Sequence, residues 1–331
     1  MISMKKEYVL KSRFADKFTE YLYERSLSIS ESTLQHERYY IEGLDRYLAA
    51  YPDNEQELTN ARLDKWLEHR PGEKKGTQKK RLDFTKRLCT HLRKTDSKVE
   101  IPLLILRNTQ PDYIPYIFTH DEIQKIFQAS DCYKPTIRSP YLHLTVPITF
   151  RILYGCGIRS GELVSLKIGD VNTEDNLLYI RESKFGKSRY VPFSASLSVQ
   201  IQSYLSARFQ ELDKDRFFIA SRNDNIPYTT SAVHSWLVNL LFSAGISHGG
   251  KGFGPRVHDF RHTFAVHSMQ KAFQNKKDLL NFLPVLSAYL GHKDLRGTQY
   301  YLKLTAEIYP DILEALAEKY GKILGGDGYE E

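Results

Sequence analysis

The stretch Gly155-Cys-Gly-Ile-Arg159-Ser-Gly-Glu162-Leu-Val-Ser-Leu166 follows a strongly apolar run over residues 142–153 that reads as a buried helix. Gly155 and Gly157 suit a turn at the end of that helix. Three further stretches carry polar residues at regular intervals. They are Ser183-Lys184-Phe-Gly-Lys187-Ser-Arg-Tyr-Val-Pro192, His258-Asp-Phe-Arg261-His262-Thr-Phe-Ala265, and Leu290-Gly-His292 with Tyr301 nine residues on. Residues 177–181 and 189–192 read as two short strands joined near Gly186, a hairpin that carries Lys184 and Lys187. Helical patterns follow at 194–212, 230–244, 258–271 and 278–289. The expected fold is mainly α with a small β-sheet.

Upstream, the first hundred residues read as helices. Phe14, Phe18 and Leu22 recur at helical spacing, as do Leu34, Ile41, Leu44 and Leu48. A short helix over 60–67 ends at Pro71-Gly72, and a fourth runs from about 77 to 94. In that fourth helix Leu82, Phe84, Leu88, Cys89 and Leu92 share one side. Lys79/Lys80, Lys86/Arg87 and Arg93/Lys94 repeat every seven residues opposite them, with Arg81 the exception. Residues 70–94 hold ten basic side chains and only two acidic ones, Glu73 and Asp83. A solvated polar face is ordinary on a surface helix, but a face of one sign over four turns suits a helix lying along phosphates. Residues 105–116, with Pro111 and Pro115, read as an extended linker, and Thr119-His-Asp-Glu122 is a capping box that opens the next helix.

Composition narrows the classes. A chain of 331 residues suggests two domains or three. Apolar content of 41% and charged content of 26% exclude disordered and fibrous classes. No apolar run is long enough for a transmembrane helix, and the N-terminal residues lack an apolar signal core. Cys89, Cys132 and Cys156 are odd in number and far apart, which argues against a disulfide framework or cysteine zinc site. No membrane association is expected, and a reducing cytoplasm is the expected location. The net charge of +7 hints at an anionic partner.

In order and spacing the four stretches resemble those of the tyrosine recombinases, the phage-integrase and Xer-like family, and the resemblance covers nearly the whole chain. It implies a helical, SAM-like core-binding domain that binds DNA over 1–108, a linker over 109–116, and a catalytic tyrosine-recombinase domain over 117–331. It further implies a C-shaped clamp around double-stranded DNA. Only about twelve residues precede the first helix, so the simpler two-domain type is expected, without an additional arm-binding domain.

Cutting a DNA phosphodiester by transesterification needs a nucleophile, stabilisation of a crowded anionic centre, and a proton for the departing 5′-oxygen. A tyrosine hydroxyl, with a reference pKa near 10, is a weak nucleophile at neutral pH. Paired guanidinium N–H groups grip non-bridging phosphate oxygens in a way lysine cannot. The resemblance assigns these tasks: Arg159 and Arg261 match the two arginines, and Lys184 the hairpin lysine that protonates the leaving oxygen. His258 matches the histidine that takes or shares the tyrosine proton, and His292 the one that hydrogen-bonds the phosphate. Glu162 matches an acidic residue supporting the first arginine, and Tyr301 the nucleophile. Tyr300 competes with Tyr301, and the nine-residue interval from His292 favours Tyr301. Lys187 competes with Lys184, and Phe185 replaces the common glycine in the turn. The DNA-contact residues expected are Lys79, Lys80, Lys86, Arg87, Arg93 and Lys94. No cofactor and no metal is expected, because the bond energy is kept in a 3′-phosphotyrosyl link. An apolar stripe over Ile312, Leu313, Leu316, Tyr320, Ile323 and Leu324 implies a C-terminal helix that joins a homotetramer on paired sites.

Integration and excision of a mobile element is the expected role, with Xer-type chromosome-dimer resolution as the alternative and a bacterial nucleoid as the place. A relaxing topoisomerase uses a similar residue set, and a non-catalytic DNA-binding relative would keep only the basic helix. The remote alternative is a zinc hydrolase, because His258 and His262 stand at i and i+4 as in H-E-x-x-H. There the acidic residue is Asp259 rather than Glu, and Arg261 between the histidines would repel a cation.

Overall fold

The computed structural model describes residues 8–106, 114–183, 187–222, 225–250, 253–292 and, further on, 300–302, 304, 305, 308, 309, 311, 312 and 314. The chain divides into two compact units, 1–112 and 113–331.

In the first unit, α1 (Ala15–Ser26), α2 (Glu31–Leu48), α3 (Asn60–Leu67) and α4 (Lys75–Leu92) enclose an apolar core. The periodic residues Phe18, Ile41, Leu44, Leu48 and Leu88 are fully enclosed there. Ser30 begins α2 by accepting the Thr33 N–H, the usual service of a serine at that position. Arg81, the exception on the basic helix, is turned inward and only 1% exposed. Its guanidinium pairs with Glu73 at 2.7 Å and donates to the carbonyls of Trp66 and Glu68. One buried charge is thereby satisfied on every side. Removing either partner of such a pair costs about 3–5 kcal/mol, because the other is left buried and uncompensated.

The second unit begins with α5 (His120–Asp131), opened by a capping box in which Thr119 Oγ1 accepts from Glu122 N–H and the Glu122 carboxylate accepts from Thr119 N–H. The buried α6 (Leu142–Cys156) is followed by the short α7 (Ser160–Val164). A three-stranded antiparallel sheet then runs in the order β1 (Val171–Asn172), β2 (Leu177–Ser183), β3 (Lys187–Pro192). Strand β1, two residues long, is too short to leave a period in the sequence. Leu178 pairs with Val191 and Ile180 with Arg189 on the buried face, while Tyr179 and Tyr190 pair on the outer one. Next come α8 (Ala195–Arg208), α9 (Thr230–Ser243), α10 (Asp259–Gln274) and α11 (Leu279–Leu290). Helix α8 stops at Arg208, four residues before the end expected at 212, since Phe209 is already extended. Phe118, Phe150 and Phe260 cluster with centroids 4.9 and 5.3 Å apart and lock α10 onto α6. A second cluster joins α10, α11 and the segment containing Tyr301, Leu302 and Ile312.

Candidate active site

The site is built where three chain turns meet. Helix α6 ends at Gly157, whose φ of +58° is the left-handed conformation that glycine adopts without strain. A Cβ there would stand 2.3 Å from the Phe264 ring. The turn delivers Arg159 to the start of α7, where its backbone N–H donates to the Glu162 carboxylate at 2.9 Å and its Nη1 donates to the same carboxylate at 2.7 Å. A carboxylate in the first turn also answers the positive end of the helix.

Arg189 reaches the same carboxylate from β3, donating through Nη1 and Nη2 at 2.9 Å each. Burial by itself would raise the Glu162 pKa. The bidentate Arg189, the Arg159 N–H and the two positive charges outweigh it and bring the value down to about 2. The C-terminal end of α11 supplies the other anchors: the Tyr289 carbonyl accepts from Arg189 Nε at 3.0 Å, and the Leu290 carbonyl accepts from Arg261 Nη2 at 2.5 Å. These are carbonyls left without partners at a helix terminus, where positive charge is favoured. Arg261 also donates to the Gly157 carbonyl at 2.9 Å. Its burial, followed by the charge of Arg159, depresses its pKa to about 10, so it stays cationic at neutral pH.

His258 stands at the start of α10 with an edge open to solvent. Desolvation of its inner side, then the charges of Arg261 and Arg159, lower its pKa to about 4. Solvent at the open edge moderates that shift, but two adjacent cations fix its direction, and the ring is neutral at pH 7. His262 lies perpendicular to it with centroids 4.8 Å apart, and burial with the nearby His258, Arg261 and His292 lowers its pKa to about 3.

Tyr301 is 3% exposed, with its ring 5.4 Å from His262 and stacked 5.9 Å from His292. Burial raises its pKa, while the charge and hydrogen bond of Arg261, and then Arg159, pull it back. Tyr300 is 40% exposed. Arg159, Glu162, His258, Arg261, His292 and Tyr301 therefore form one connected group. Lys184 falls outside the described residues, between the strands β2 and β3, and so does the side chain of Lys187. The hydroxyl of a tyrosine, two guanidinium groups and neutral imidazoles gathered together suit nucleophilic attack on an anionic ester. Among the described residues no three His, Cys, Asp or Glu side chains converge as a metal cage. Asp259, the acidic residue of the zinc alternative, is fully buried and accepts the Arg256 N–H instead.

Sequence reasoning gives no recombinase role to two residues that touch this group, Arg189 and His262. Arg189 marks only the strand register in the sequence, although it shares strand parity with buried Val191 and opposes Ile180. His262 stands out there only as a zinc ligand.

Residues 117–307 match the phage integrase family. The chain belongs to that family. Curated relatives include the protein named "Putative integrase/recombinase y4rB" of Sinorhizobium fredii, 29% identical over 72% of this chain and 78% of that one. Tyrosine recombinase XerA of Pyrococcus horikoshii is 30% identical over 65% of this chain and 66% of its own length. Among solved structures, that of the XerH site-specific recombinase bound to its palindromic difH substrate superposes with a TM-score of 0.65 at 16% identity, over 91% of this chain and 84% of that one, which shows a shared fold. As a member of the phage integrase family, the chain is an enzyme of the tyrosine-recombinase class, a site-specific DNA strand transferase.

The basic helix is more divided than its sequence suggests. Lys80, Arg93 and Lys94 are exposed. Lys86, however, donates to the Leu104 carbonyl at 2.9 Å, and Arg87 pairs at 3.3 Å with Glu37, which Arg25 already holds in a fork. The C-terminal stripe also starts differently: Ile312 is 2% exposed and packs on the α10–α11 cluster of its own unit. Leu313, Leu316, Tyr320, Ile323 and Leu324 lie outside the described residues. No helix among the described residues is long and apolar enough to cross a membrane.

Proposed function

We propose that this chain cuts and rejoins double-stranded DNA through a 3′-phosphotyrosyl intermediate, with Tyr301 as nucleophile. The observation that carries the reading is the burial of the Tyr301 ring against His262 and His292 beside Arg261 and Arg159. Tyr301 Oη attacks the scissile phosphorus as its proton passes to neutral His258. Arg159, Arg261 and His292 hold the non-bridging oxygens, and charge at that centre is stabilised by donors already in place. The P–O5′ bond breaks, Lys184 protonates the leaving 5′-oxygen, and a second 5′-hydroxyl later reverses the exchange. The phosphoester bond count is unchanged, so neither ATP nor a metal is required by the chemistry.

The first unit is proposed as the core-binding, DNA-contacting domain, and residues 313–324 as the contact that assembles a homotetramer on paired sites. The role proposed is integration and excision of a mobile element, acting on the bacterial nucleoid in the cytoplasm. The alternative is Xer-type chromosome-dimer resolution. The test is a nicked suicide duplex incubated with the protein. A covalent adduct should form with the wild type, map to the Tyr301 peptide, and be absent from Tyr301→Phe, which should still bind DNA. An adduct on Tyr300, or none on any tyrosine, overturns the assignment. Recombination between direct repeats taken from the gene's own flanks separates the two biological roles.

A further inference from the structure

Glu162 has four acceptor positions on its two carboxylate oxygens, and all four are filled. Oε1 accepts from Arg159 Nη1 and Arg189 Nη1, and Oε2 accepts from the Arg159 N–H and Arg189 Nη2. Of the five side-chain donors on Arg159, Glu162 takes one. The two arginines differ in exposure: Arg189 is 11% exposed, whereas Arg159 is 25% exposed and lines, with His258, a cavity of about 440 Å³. The inner arginine faces the carboxylate as a fork and the outer one meets it through a single guanidinium nitrogen.

We propose that Arg189 is a positioning residue for strand cleavage: by occupying the Glu162 carboxylate as a bidentate partner it prevents Arg159 from closing onto that carboxylate and leaves its guanidinium for the scissile phosphate. This rests on the recombinase reading. The physical reason is competition. A buried carboxylate with two empty acceptor positions draws the nearest guanidinium into a fork, and Arg159 already lies 2.7 Å away. A carboxylate-forked Arg159 would be both neutralised and rotated away from the phosphate. Arg189 is itself held by the Tyr289 carbonyl through Nε, adjacent to the Leu290 carbonyl that holds Arg261. A Cβ on Gly291 would lie 3.1 Å from Arg189 Cδ, so the residue before His292 is packed against the same side chain. Arg189 thus sets Arg159 from the strand that follows Lys184, and it acts through Glu162.

The experiment measures single-turnover adduct formation and DNA affinity for the full chain with R189Q, E162Q and the double variant. R189Q should cleave roughly 100-fold more slowly, the scale of losing one preorganised donor, with affinity within about threefold. The double variant should recover to within about tenfold of wild type, because a neutral amide in place of the Glu162 carboxylate no longer captures Arg159; such non-additivity is the signature of coupling. On a duplex with a neutral methylphosphonate at the scissile position, the R189Q defect should shrink to a few-fold, since less charge needs neutralising. A double variant no faster than R189Q, or a defect equal on both substrates, overturns the proposal and leaves Arg189 a packing residue. Should R189Q unfold at assay temperature, the double variant, with no buried carboxylate left unpaired, is compared with the wild type, and a loss of roughly 100-fold there overturns the proposal. Absence of adduct with the wild type overturns the recombinase reading and this inference with it.

Discussion

The carbonyl oxygen of Gly157 accepts a hydrogen bond from Arg261 Nη1 at 2.9 Å, while the left-handed turn at Gly157 is what carries the chain to Arg159. One glycine therefore sets both Arg261 and Arg159, one through its carbonyl and the other through its dihedral angles. A side chain at this position meets two penalties at once. The positive φ costs about 1–2 kcal/mol for an L-residue, and the Cβ would press into Phe264 at 2.3 Å, an overpacking typically worth about 1–3 kcal/mol. Gly157→Ala should lower stability by about 2–5 kcal/mol in urea unfolding. Adding Phe264→Ala should recover the packing part and not the dihedral part. Full recovery would show that the turn itself is unstrained.

Lys184 is tested through its leaving group. Replacing the bridging 5′-oxygen of the scissile phosphate by sulfur gives a departing atom that needs little protonation. Lys184→Ala should be slow on the ordinary duplex and close to wild type on the thio-substituted one. Arg159→Ala should stay slow on both, its defect being in charge stabilisation. Rescue of Lys187→Ala instead would move the proton donor to that lysine.

Lys80 on α4, and Arg93 and Lys94 just past its end, are exposed and open to phosphates. Changing all three to Gln should flatten the slope of log K against log salt by roughly 0.9 for each phosphate no longer neutralised. Affinity for cognate and random duplexes should fall alike, because phosphate contacts carry no base information. Lys86→Gln should alter the slope less, since its ammonium already serves the Leu104 carbonyl. An unchanged slope in the triple variant would place the DNA elsewhere.

His267 on α10 is 8% exposed, stacks on His120 at 4.0 Å and shares a 2.9 Å hydrogen bond with the Tyr154 hydroxyl. Burial, with His120 beside it, holds its pKa down at about 4. An unperturbed histidine titrates at 6.5, so the unfolded chain takes up a proton as pH falls through that point, whereas the native state resists until about 4. The stability contributed by keeping His267 neutral is fully present above pH 6.5 and is lost as pH falls through this window, at about 1.4 kcal/mol per unit for one proton. His267→Gln should lower the measured slope of unfolding free energy against pH by about one proton between 6.5 and 4. His258 and His262 are shifted the same way, so part of the slope should remain. An unchanged slope would mean that His267 titrates normally in the native state.

Much of this protein was readable from local sequence because its signals are local. Apolar periodicity marked α1 to α4, Thr119 and Glu122 marked the start of α5, and the spacing from His292 singled out Tyr301 before its surroundings were known. These features depend on residues a few positions apart, for which the helix or strand period is sufficient. The arrangement of the charges did not follow from any such period. Arg81 and Arg87 lie six residues apart on one helix, yet one is buried against Glu73 and the other is exposed beside Glu37. The difference comes from carbonyls and carboxylates that α2, α3 and the turn at residues 71–74 bring alongside. Arg189 is the same case in the second unit. Strand alternation could say only that it faced inward, and its meaning came from Glu162, 27 positions earlier, and the Tyr289 carbonyl, 100 positions later. A buried ion takes its partner from whatever the packed chain supplies at hydrogen-bond distance, and that supply exists only once the tertiary structure has formed.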